Sequence, residues 1–145
     1  MFQQDIPDGE PKPVLEPGIF PAAITPDGKT VLAISRERTW RWYPLSGEAS
    51  QPAPGFEETD DPITGMVGWS SDGKALFVRN GTAVPSRIDR VEIATGRRTL
   101  LAEVGPVDRT GLFNFAPSSV SKDGTQYAYS YAKRLSTLFV VTHAR

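Results

Sequence analysis

The sequence contains no cysteine, a single histidine, and no apolar run near the ~20 residues that a membrane-spanning helix requires. Without cysteine there are neither disulfides nor thiolate metal sites, and the redox compartment stays undetermined. The histidine, His143, lies close to the last residue, so a Ser-His-Asp set finds no base in the body of the chain. Excess charge of one sign is also missing. Sixteen Lys and Arg face seventeen Asp and Glu for a net charge of -1, which offers no broad field to nucleic acid or an anionic membrane. Met1 to Pro21 holds no basic stretch followed by an apolar segment, so no secretory leader is read there. What is abundant is turn-forming residues. Thirteen glycines and thirteen prolines in 145 residues favour many short strands joined by tight turns, an all-β class.

One pattern recurs three times. Ile24-Thr25-Pro26-Asp27-Gly28, Trp69-Ser70-Ser71-Asp72-Gly73 and Val120-Ser121-Lys122-Asp123-Gly124 share the form apolar, hydroxyl, any, Asp, Gly, with the aspartates 45 and 51 residues apart. That period suits a β-propeller blade. Asp-Gly between apolar runs marks a hairpin, because Gly accepts a positive φ and Asp bonds nearby backbone. The strands after these turns, Val31 to Ile34, Leu76 to Val78 and Tyr127 to Tyr131, are apolar along most of their length, which predicts sheets sandwiched on both faces. A second hairpin signal follows at Gly47 in Leu45-Ser46-Gly47-Glu48 and at Gly96 in Ala94-Thr95-Gly96-Arg97. Four strands per unit result, named A to D from the inside out.

The expected architecture is a partial β-propeller of about three blades of four-stranded antiparallel sheets. Residues 1–17 supply outer strands C and D of a first blade, around the turn Pro7-Asp8-Gly9-Glu10. Residues 18–61 and 62–112 form two full blades, and 113–145 form a last blade lacking its outermost strand. Three blades are fewer than the 4 to 8 that usually surround a channel. Open blade edges invite association, so a homodimer is expected in which the first hairpin of one chain completes the last sheet of the other.

The segments Pro26-Asp27-Gly28-Lys29, Trp42 to Glu48, Arg90 to Arg98 and Asp123 to Tyr131 with Arg134-Leu135-Ser136 resemble TolB-like, WD-repeat-like propellers. The closing segment is similar to the C-terminal end of the propeller found behind bacterial serine/threonine kinase domains. The resemblance implies a sensory or protein-interaction propeller, extracytoplasmic in a receptor-like parent. It implies no phosphoryl transfer, since the Gly-rich loop, H-R-D and D-F-G are all missing from the sequence.

Candidate chemistry is sparse. Gly68 to Gly73 has the wrong spacing for a nucleophile elbow and reads as a turn. The acidic run Glu57 to Asp61 lacks the alternation of a calcium loop. Trp40 and Trp42 beside Arg36, Arg38 and Arg41 are read as core packing rather than a nucleic-acid platform, and Tyr127, Tyr129 and Tyr131 as a layer between blades. No catalytic residue, metal site or cofactor is predicted. If the tight turns share one rim, the longer loops share the other, where binding residues tend to sit. That rim gathers Arg36, Arg38, Asp60, Asp61, the stretch Asn80 to Arg87, Asp108, Arg109, Lys133 and Arg134. The expected function is non-catalytic binding of a protein, peptide or small ligand. The alternative, a hydrolase or lyase using the central channel, requires titratable groups on the innermost strands, which carry almost none.

Overall fold

The computed structural model describes residues 1–4, 6–57 and 62–137. Its organisation starts in the three Asp-Gly turns, which are built alike. Thr25, Ser70 and Ser121 each donate a hydroxyl hydrogen bond of 2.6 Å to the carboxylate two residues on, Asp27, Asp72 and Asp123. The same carboxylates accept the backbone N–H of Lys29, Lys74 and Thr125 at 3.0 to 3.1 Å. Each hydroxyl oxygen also accepts the N–H five residues on, from Thr30, Ala75 and Gln126. A short acceptor at the second position of the pattern and another at the fourth therefore satisfy the turn's backbone locally, which makes the hairpin an autonomous choice of these residues.

Around these turns the described residues form an all-β fold of twelve strands with no helix. β1 (Phe2–Gln3) and β2 (Lys12–Pro13) make a small antiparallel pair. β3 (Ile19–Ile24), β4 (Thr30–Ser35), β5 (Trp40–Pro44) and β6 (Gln51–Pro52) make one four-stranded antiparallel sheet in sequential order. β7 (Ile63–Trp69), β8 (Ala75–Asn80), β9 (Ser86–Glu92) and β10 (Arg98–Val104) make a second of the same topology. β11 (Leu112–Val120) and β12 (Tyr127–Lys133) make the last pair.

The sheets approach one another most closely along their first strands, with β7 beside both β3 and β11. The Asp-Gly turns also adjoin: Ser71 N–H donates to the Lys122 carbonyl at 2.8 Å, and a Cβ on Gly73 would stand 3.4 Å from Pro26. Leu45 N–H donates to the Lys29 carbonyl at 2.8 Å and Ile93 N–H to the Lys74 carbonyl at 3.0 Å, which places the outer turns at the same end as the inner ones. Repeated meanders, close at their inner strands and in register at one rim, are a partial propeller-like fold.

Burial follows the strand pleat. Leu76, Val78 and Val91 of the second full sheet face the first, where they meet Leu32, Trp42, Ala53 and Phe56. Phe77, Ile88, Val67 and Val104 face the other way and meet Val120 of the last pair. The apolar runs Val31 to Ala33 and Leu76 to Val78 are thus buried on both faces, and removing each of their Val, Leu or Phe side chains from water contributes about 1.5 to 3 kcal/mol. Trp42 packs on Phe56 edge to face at 6.0 Å and on Trp69 at 6.3 Å, so the Trp40 and Trp42 pair serves the core.

The third apolar run behaves differently. Tyr127, Tyr129 and Tyr131 are exposed and stack along β12 at 6.1 Å between neighbouring rings, and Ala128 and Ser130 on the opposite face are exposed as well. The expectation of a buried layer between blades is corrected here: among the described residues no sheet covers β12, and its tyrosines alternate with the small Ala128 and Ser130 instead of forming a run that is apolar at every position. The third strand expected in the last blade, which would follow β12 over 135–142, has no regular structure at 135–137, and its remainder lies outside the described residues, as does His143.

Candidate functional site

The antiparallel order sends the connections β4 to β5, β8 to β9, β6 to β7 and β10 to β11 to the rim opposite the Asp-Gly turns. Two of these loops, 81–85 and 105–111, lie side by side. Arg109 donates from Nη1 to the Val84 carbonyl at 2.5 Å, and Lys133 at the end of β12 pairs with Asp108 at 2.5 Å. That pairing holds the Asp108 carboxyl below the usual carboxylate range, helped by the Thr110 N–H. Arg134 follows, its guanidinium 5.6 Å from the Phe113 ring and its N–H on the Gly111 carbonyl at 2.8 Å. Of the predicted rim residues, Asp108, Arg109, Lys133 and Arg134 therefore come together, and they brace the loops.

The braced loops wall a cleft of about 450 Å³ between 81–84 and 112–116 of β11, a volume in the range of small-molecule sites. Arg79 and Ser86 also line it. Arg79 lies across Gly65, where a Cβ would stand 3.7 Å from its Nε. Its Nε donates to Thr64 Oγ1 at 3.0 Å and its Nη2 to the Thr64 carbonyl at 3.2 Å. Both acceptors are neutral, and no carboxylate pairs with Arg79 among the described residues. Ser86 is 2% exposed, and its Oγ has no hydrogen-bond partner among them. An unpaired buried hydroxyl costs free energy that natural proteins seldom tolerate without a reason.

Behind this cleft, Asp89 is buried and accepts from Asn80 Nδ2 at 2.7 Å and Arg87 Nε at 2.8 Å. Arg87, predicted as a rim residue, thus anchors the start of β9. Arg36 and Arg38 belong to the 36–39 loop of the first full sheet. Arg36 lies over Gly18, and Arg38, with a φ of 61°, lines a separate cleft of about 410 Å³ beside Trp40. Asp60 and Asp61 lie outside the described residues. A further cleft of about 610 Å³ opens at the turn rim beside Trp42, whose buried Nε1 has no acceptor among the described residues.

Sequence reasoning missed Arg79 and Phe113. The only signal for Arg79 was a cation at the end of the apolar run Leu76 to Val78. Its neighbours Thr64 and Gly65 come from another strand, so only the pairing of Gly65 with Arg79 brings them together. No protein-family model, curated protein or solved structure matches the chain.

Proposed function

We propose that the chain is a non-catalytic binding or sensory module whose loop rim receives a ligand, and that it is a portion of a TolB-like, WD-repeat-like propeller resembling those behind bacterial serine/threonine kinase domains. The observation that carries this reading is the braced cleft at the loop rim, which combines an open volume of about 450 Å³ with a guanidinium held by Thr64 that no carboxylate pairs and a buried hydroxyl without a partner, both among the described residues. Pre-formed concave sites with a few convergent polar groups are where proteins take ligands. The inner strands β3, β7 and β11 contain no titratable side chain, which favours binding over chemistry in the space they face.

The test is a fragment and short-peptide screen by amide chemical shift on the full chain, run beside a panel of hydrolase and lyase substrates. Perturbations clustered at 81–86 and 112–116, with no turnover, are the expected outcome. Turnover that disappears on substituting a rim residue overturns the reading in favour of a propeller enzyme.

A further inference from the structure

We infer that the cleft between 81–84 and β11 is a carboxylate-binding subsite, in which Arg79 grips the acid group of a ligand whose short apolar body rests on Phe113. This deepens, and rests on, the binding-module reading of the same rim. It begins with how the guanidinium is spent. Arginine has five N–H donors in a fixed fork, and Thr64 takes the donors along one side, from Nε and Nη2. The end-on pair on Nη1 and Nη2 is left, and that pair has the spacing for bidentate contact with a planar carboxylate.

Position and charge agree with this assignment. Thr64 holds the guanidinium with two neutral oxygens, which orients it without neutralising it. Nearby acids are otherwise engaged: Asp89 with Asn80 and Arg87, and Asp108 with Lys133. An unneutralised, half-buried cation in a cleft favours an anion, and one cation matches one negative charge. Ser86 in the cleft wall is 2% exposed and its hydroxyl has no hydrogen-bond partner among the described residues, so the wall carries a polar group that the fold leaves unsatisfied. Phe113, with the Arg134 guanidinium 5.6 Å from its ring, is still 65% exposed, an apolar wall at the mouth. A bare phosphate would satisfy the cation and leave that wall wet. An acid with an aromatic or aliphatic body fits both.

Two sources share this chemistry, a free amphiphilic acid and the C-terminal residue of a peptide. The full chain, labelled with nitrogen-15, is titrated with 3-phenylpropionate, N-acetylphenylalanine, N-acetylphenylalaninamide and inorganic phosphate. Either acid should shift the amides of 81–86 and 112–116 together with the Arg79 Nε–H. The acid that binds more tightly identifies the source. Loss of the charge should weaken the amide at least about tenfold, as should Arg79→Gln. Arg79→Lys keeps the charge and loses the fork, and should fall between. Phe113→Ser, at an exposed position, leaves the fold intact and should weaken both acids several-fold while leaving phosphate unaffected.

Equal binding of acid and amide overturns the carboxylate assignment while the cleft remains a binding site. Phosphate binding as tightly as either acid overturns the apolar half. Acids that leave the cleft unperturbed overturn the inference entirely, and the binding-module reading is then judged on the fragment screen and the substrate panel.

Discussion

At the scale of single residues, the glycines at the turn rim separate into two kinds. Gly47 has a φ of 89° and no atom within 4 Å of a would-be Cβ, so Gly47→Ala should cost only the left-handed conformation, about 1 kcal/mol. Gly96 has a φ of 70°, and a Cβ there would stand 2.5 Å from the Pro54 carbonyl carbon and 2.6 Å from the Gly55 nitrogen. Because two backbones meet there, Gly96→Ala should cost about 3 kcal/mol or more in urea melts. The Asp-Gly turns make a pH prediction. Asp123 is held at about 2, below the ordinary 3.8, first by the Ser121 hydroxyl and then by the Thr125 N–H. A depressed folded value means the stabilising contribution is complete above the unfolded 3.8 and is lost as pH falls toward about 2. Asp123→Asn should be less stable at neutral pH and lose less on acidification across that window, seen as converging denaturation midpoints. The sequence announced these turns because hydroxyl, carboxylate and glycine all act within a few residues of chain.

At the scale of elements, the connection between β6 and β7 does more than join two sheets. Phe56 in this loop is fully buried, its ring 6.0 Å from both Trp40 and Trp42. It fills the space between two sheets at a point where β6 is only two residues long. Phe56→Ala should therefore destabilise like a core truncation, by about 3 to 5 kcal/mol, measured by chemical denaturation. No periodicity marks a loop phenylalanine as core, so this wedge was not legible in the sequence. The strands β4 and β8 were legible, because a run that is apolar at every position has to be covered on both faces.

At the scale of the whole molecule, burial is uneven across the row of sheets. The second full sheet is covered on both sides by its neighbours, whereas β12 carries its tyrosine ladder on a surface left uncovered by the described residues. Phe77, 2% exposed between that sheet and the last pair, should cost about 3 to 5 kcal/mol when truncated to Ala. Tyr129 is 37% exposed, and Tyr129→Ala should cost about 1 kcal/mol, the value of its ring contacts plus the area it covers. Equal losses at the two positions, by the same melts, would mean that β12 is covered in solution.

The sequence by itself determined the all-β class, the equivalence of the three Asp-Gly turns and the buried character of β4 and β8, since each follows from residues close together in the chain. The tertiary structure alone decided that Arg79 meets Thr64 across a strand pair, that loops 81–85 and 105–111 clamp into a cleft, and that the tyrosines of β12 stay exposed. Those outcomes depend on which strand lies beside which, and no local pattern of side chains encodes that.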